Sequence, residues 1–183
     1  AHFAQTWYYI GPREGPAVDE VYRRLVDVAK GAALMTGTTV EVDFQGGCYP
    51  NVQNKVLAQV ITQSMEEIGA PVFTPEEKEY AAQLNRTCPQ SPRRPYPVDP
   101  DVPLDETILG LYDEGNFAYN ASDIGDVSHL MPSTMFGTVC YNMLSDLHSW
   151  QVAACTGHSI GQRGMIFAAK VLALTAMKLI ENP

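Results

Sequence analysis

The stretch "TTVEVDFQ", residues 38–45, decides the predicted fold of the first part of the chain. Its apolar side chains alternate with polar ones, which is the pattern of a β-strand with one buried and one solvated face. Before it, residues 17–36 carry apolar side chains at the spacing of one helix face. The aromatic-rich start "AHFAQTWYYI", residues 1–10, predicts another strand. The sequence therefore predicts strand, helix, strand over the first fifty residues.

A unit of two strands and one helix rarely folds alone, because so small a sheet buries little apolar surface. We therefore expect the sheet to be completed by another chain or by sequence outside these 183 residues. The unpaired strand edge would then be a surface for association.

Residues downstream of 50 predict an α/β arrangement. Helices are expected over 51–68, directly after the N-cap residue Thr74, as one short turn in "DIGDVSHL" (123–130), and over 161–182. The apolar run "TMFGTVCYNM", residues 134–143, predicts a buried strand. The spacing of Ser159 and Gln162 predicts a capping box at the start of the last helix. Residues 87–103 are rich in proline and predict an irregular loop.

Charge and composition exclude several classes of function. The formal net charge of −9 disfavours nucleic acid, since phosphate contacts need clustered Lys and Arg. No run of 18 apolar residues and no signal peptide are seen, so neither a membrane span nor export is expected. The four cysteines lack C-x-x-C spacing and predict free thiols in a reducing, cytoplasmic setting.

Four motifs occur in one order along the chain. They are "AKGAALMTGTTVE" (29–41), "ASDIGDVSHLMP" (121–132), "LHSWQ" (147–151) and "GHSIGQRGMIFAAKVLA" (157–173). Together they resemble the aminobenzoyl-glutamate utilisation protein B group. These proteins are amidohydrolases of the aminoacylase and carboxypeptidase-like metallopeptidase family.

The resemblance implies two parts within an α/β fold. Residues 1–47 would form the second half of a ferredoxin-like lid that dimerises. Residues 48–183 would form the C-terminal part of the catalytic domain. The family's other metal ligands and its general base would lie upstream, so no catalytic residue is expected in this chain.

The resemblance also assigns a metal ligand. By its position in "LHSWQ", His148 would be the last ligand of a divalent metal centre, holding Zn²⁺ or Mn²⁺ through a neutral imidazole. The alternative is a structural one, in which His148 is a turn residue bonded to backbone.

Four further residues are candidates for orienting a ligand or binding substrate. Asp123 and Asp126 match a family segment near the site, or they cap the short helix that follows. His158, beside a helix start, could face a substrate carboxylate. Relatives in the family tend to carry an Arg where this chain has Gly11. If that Arg binds a substrate carboxylate, its role is either lost in this chain or passes to Arg13.

These observations predict part of a metal-dependent amidohydrolase that cleaves N-acyl or p-aminobenzoyl amino-acid amides. The substrate would be a small amide or dipeptide, the chain would form a homodimer through the lid, and alone it would be inactive. A non-catalytic oligomerisation or binding module on the same scaffold is the alternative. A hydrolase using Cys140 or Cys155 with a histidine is a third hypothesis, although no sequence feature activates either thiol.

Overall fold

The computed structural model describes residues 2–11, 15–88, 99, 101–111 and 122–181; Arg13 and most of the proline-rich loop lie outside them. Helices account for 52% of the described residues. They are α1 (Gly15–Thr36), α2 (Lys55–Ile68), α3 (Pro75–Asn85), α4 (Ile124–Ser128), α5 (Trp150–Thr156) and α6 (Ser159–Glu181). The chain divides into two compact units: unit 1 is Ala1–Gln53 with Phe117–Ser133, and unit 2 is Asn54–Asn116 with Thr134–Pro183.

The helix predictions are confirmed wherever local signals defined them. At α3, the Thr74 hydroxyl accepts from the Glu77 N–H at 3.3 Å, and the Glu77 carboxylate accepts from the Thr74 N–H at 2.8 Å. This reciprocal capping box satisfies two backbone donors that the first helical turn leaves unpaired. Helix α5 was not predicted, although Ser149 caps it by accepting from the Val152 N–H.

The predicted α/β fold and its ferredoxin-like half-lid are wrong. The described residues contain no strand, and the β-type pairing within unit 1 is one isolated parallel bridge between Gln53 and Ser133. Alternation of side chains marks a strand only when a neighbouring backbone supplies its hydrogen bonds. The described part of the chain places no such neighbour beside 38–45. The side chains expected on the buried face of that stretch are exposed: Val40, Val42 and Phe44.

Residues 134–143 were also predicted to form a strand, and the structure gives them no ladder. The segment instead packs by side chains, with Val139 and Tyr141 against the core of unit 2. Its end is held by one backbone bond, from the Met143 N–H to the Pro103 carbonyl at 3.0 Å. The segment passes so close to α6 that a Cβ on Gly164 would lie 2.5 Å from the Cys140 Sγ.

The core of unit 2 consists of two apolar clusters. One cluster forms where α3 meets α5 and the start of α6, and contains Phe73, Ala81, Leu84, Leu104, Cys155 and Ile160. The second lies between α2 and α6 and contains Ile61, Phe167 and Val171. Together these contacts fix α3, α5 and α6 against one another, and the candidate residues of unit 2 stand at the ends of these helices.

Helix α6 keeps an exposed apolar face opposite its buried stripe. Large side chains on that face include Met165, Ile166, Leu172, Met177 and Ile180. A helix this apolar is usually covered on most sides, and the described residues cover one side of it. No described helix has the combination of length and apolar character that crossing a bilayer requires.

Candidate functional site

His148 lies at the exposed end of a short connection that enters α5. Its φ is 66°, and it is the one non-glycine residue with a positive φ among those described. The left-handed region costs an ordinary side chain free energy, although His tolerates it better than most. Such an outlier is more informative than the motif alone, because strained backbone collects at functional sites.

The imidazole of His148 is exposed, and no hydrogen bond or ion pair joins it to another described residue. The backbone-bonded turn histidine therefore has no support here. A metal ligand needs one free ring nitrogen, and its other nitrogen usually donates to an acceptor. The described residues contain no group of three His, Cys, Asp or Glu side chains suited to a metal ion. They therefore do not complete a metal centre around His148.

The segment that carries His148 is held by buried polar side chains. Asn142 is fully buried, and its amide nitrogen donates to the Asn85 Oδ1 at 2.8 Å. The Ser145 hydroxyl donates to the Asn142 Oδ1 at 2.7 Å. Beyond His148, the Gln151 amide donates to the Thr87 hydroxyl at 3.1 Å. Both flanks are thus fixed to the end of α3 and the turn that follows it.

His158 occupies a very different environment at the start of α6. Its ring stacks on Tyr80 with centroids 4.6 Å apart and planes 14° from parallel. Its Nδ1 lies 3.2 Å from the Ser159 hydroxyl. The ring borders a shallow open groove beside Tyr80, Glu76, Glu79 and Gln83. Carboxylates beside the ring disfavour the substrate carboxylate that the sequence suggested for His158.

Glu77 links α3 to α6 and is the most heavily bonded carboxylate of unit 2. It is buried, and it accepts from the Ser159 hydroxyl at 2.5 Å and from the Arg163 Nε at 2.8 Å. Burial would raise its pKa, but the bonds from Ser159, Arg163 and the Thr74 N–H outweigh burial and lower the pKa to about 2. The predicted Ser159–Gln162 capping box is not supported, because Ser159 is already the first residue of α6 and the Gln162 N–H donates to the His158 carbonyl at 3.3 Å.

The structure does not bring His148 and His158 to one centre. They flank α5, a helix of seven residues. At a rise of 1.5 Å per residue, the helix alone separates them by about 10 Å. The two histidines stand at opposite ends of α5, and no described contact joins them.

The candidates in unit 1 serve backbone contacts. The Asp126 carboxylate accepts from the Tyr49 N–H at 2.8 Å, and the His129 Nε2 lies 3.0 Å from the Pro50 carbonyl. Gly125 permits this approach, since a Cβ there would lie 1.8 Å from the Tyr49 carbonyl oxygen. Asp123 stands at the N-cap position of α4 but makes no capping bond. These contacts favour a structural role for Asp126.

The thiols behave as structural groups. All four cysteines are free, as predicted. Burial raises the pKa of both Cys140 and Cys155. A buried thiol kept protonated is a poor nucleophile, which disfavours the cysteine hydrolase hypothesis.

Sequence reasoning missed the contact between Glu77 and Arg163. Thr74 was predicted as the N-cap of α3, but neither Glu77 nor Arg163 was singled out. The two residues are 86 positions apart. No local pattern reports a pair at that separation.

Comparison with known proteins supports the resemblance drawn from the four motifs. The chain is 28% identical over 192 aligned residues to a p-aminobenzoyl-glutamate hydrolase subunit of Escherichia coli (strain K12). The predicted resemblance is confirmed. The match covers 96% of this chain and 40% of the relative, so the chain spans well under half of the relative's length. No family model and no solved structure matches the chain.

Proposed function

We propose that this chain works as part of an amidohydrolase acting on p-aminobenzoyl-glutamate or related N-acyl amino acids, and that it contributes His148 as one metal ligand. The observation that carries the proposal is His148 itself. It combines a left-handed backbone, an exposed ring and no partner among the described residues. The similarity to a hydrolase subunit supplies the reaction class.

Dependence on Zn²⁺ or Mn²⁺ is part of the proposal and rests on the resemblance of "LHSWQ" to the family's ligand motif. The remaining ligands and the general base would come from polypeptide outside the described residues. Amide hydrolysis needs a positioned base as well as an activated water. The chain alone is therefore expected to be inactive.

The relative is named as a subunit, and we propose that this chain also functions within an assembly, with a homodimer as its simplest form. Exposed apolar side chains offer contact surface in each unit, and they include Trp7 and Tyr9 in unit 1 and Leu172 and Ile180 in unit 2. Light scattering on the purified chain tests this proposal. A strictly monomeric chain over a wide concentration range would count against it.

The direct test is hydrolysis of p-aminobenzoyl-glutamate by two samples. One is the purified chain, and the other is the assembly recovered from the native source through a tag on this chain. We expect chelator-sensitive turnover by the assembly and none by the chain. Turnover by the chain alone, or turnover that chelators leave unchanged, would contradict the proposal.

A non-catalytic binding module is the second candidate function. The observation that favours it is the lack of a three-ligand group among the described residues. The same assay separates the two functions. An assembly that forms but shows no amide turnover and holds no metal would support the binding module.

A further inference from the structure

The residues between Ser145 and Ser149 form a bridge of three between two fixed points. On the first side, Ser145 is fully buried and donates to Asn142, while the Leu144 N–H donates to the Asn85 Oδ1 at 3.2 Å. On the second side, Ser149 is the N-cap of α5. The distance between these two fixed points must be spanned by three residues, Asp146, Leu147 and His148.

Both fixed points are held, through hydrogen bonds of neighbouring residues, to the same short segment, residues 85–87. Asn85, at the end of α3, holds the first side, and Thr87 holds the second through the Gln151 amide. Asn142 is the central group, because its Oδ1 accepts from Ser145 while its Nδ2 donates to Asn85. Removing one partner of such a buried network leaves the others unsatisfied, so the network holds as a unit.

We propose that Asn142, with Asn85, Ser145 and Gln151, is a positioning device that forces His148 into its left-handed backbone conformation. A bridge of three residues has little freedom, and the positive φ falls on the last of them, directly before the helix cap. Asn142 touches no reacting group and acts through His148. The claim that this constraint positions the imidazole for a metal rests on the proposed function. The claim that the backbone is constrained is independent of it.

A glycine at position 148 measures the constraint. Glycine adopts a positive φ without steric cost but loses more entropy on folding. We expect His148→Gly to stabilise unit 2, lowering the equilibrium constant for its opening about 2- to 5-fold. Hydrogen exchange of the slowest α6 amides measures this constant. The matched control is Leu147→Gly, since Leu147 is also exposed but lacks a positive φ. That control should raise the constant by a similar factor.

A double-mutant cycle then tests the device. In an Asn142→Ala background we expect the bridge to be released, so that residue 148 can relax to a negative φ. The gain in stability from His148→Gly should then vanish. In an Ile61→Val background, which weakens the α2–α6 cluster of the same unit, the gain should persist in full. A merely structural Asn142 would lower stability as Ile61→Val does and leave the gain intact.

A gain from His148→Gly that is the same in the wild-type and Asn142→Ala backgrounds would overturn the proposal. Should Asn142→Ala fail to fold, Ser145→Ala removes the Ser145–Asn142 bond, leaves the Asn142–Asn85 bond in place and gives the same comparison. The proposed function is decided separately, by the metal content of the tagged assembly with His148→Ala. Unchanged metal would reject the ligand role, while the cycle alone decides the backbone constraint.

Discussion

Two histidines flank α5, and they differ in exposure, in backbone conformation and in the contacts of their rings. His158 has its ring stacked on Tyr80 and bonded to Ser159. His148 has no such partner among the described residues, yet its backbone holds an unfavourable conformation. The contacts of His158 account for it as a stabilising residue. The strained backbone of His148 is the observation that motivates the proposed functional role.

The largest expected effect is at the His158 end, where Glu77 holds the start of α6. In Glu77→Gln, Arg163 and Ser159 lose their charged acceptor. The difference between the ordinary pKa of 4.5 and the folded pKa of about 2 corresponds to about 3 kcal/mol of stability. We expect most of that to be lost at pH 7 in urea unfolding. A loss below about 1 kcal/mol would contradict the network.

The pH dependence has a definite sign. Since the folded pKa of Glu77 lies below the unfolded one, its stabilisation is complete above about pH 4.5 and is lost as the pH falls from there towards 2. The Gln variant cannot lose a charge at this position. Its stability should therefore fall less steeply than that of wild type over this range, and parallel acid limbs would contradict the assignment.

His158→Ala is the next largest expected effect, and it would sharpen the contrast between the histidines. It removes the ring stacking and the bond to Ser159, for a loss of about 1–2 kcal/mol. We expect metal content and turnover of the assembly to stay unchanged. Lost turnover in a stably folded assembly would instead move function to the other end of α5.

A smaller effect is expected from an unpaired polar group inside the protein. The Thr175 hydroxyl, on the buried face of α6, has no hydrogen-bond partner among the described residues. Unlike His148, Thr175 is buried, so no external ligand can reach its hydroxyl. The free-energy cost of burying this unbonded group is therefore not offset by binding. Thr175→Val keeps the shape and should raise the unfolding free energy by about 0.5–1 kcal/mol. A loss of stability would reveal a partner that forms in solution.

The sequence predicted what local chemistry determines. The N-cap of α3 at Thr74 and the helix predicted over residues 17–36 each depend on residues close together in the chain, and both are confirmed. The predictions of strands at 1–10, 38–45 and 134–143 were wrong, because a strand depends on a distant partner that its own residues do not specify. The motif "LHSWQ" named His148, but its positive φ depends on Asn85 and Asn142. Those residues lie 57 positions apart, and nothing near position 148 reports their bond.

The contrast between the two histidines is tested most directly by metal affinity. Equilibrium dialysis against Zn²⁺ would compare the tagged assembly carrying wild-type chain, His148→Ala or His158→Ala. We expect His148→Ala to weaken metal binding by about 10-fold or more, the scale found even for residues one step removed from the metal, and His158→Ala to leave it unchanged. Equal affinities in all three assemblies would contradict the assignment of His148 as a metal ligand.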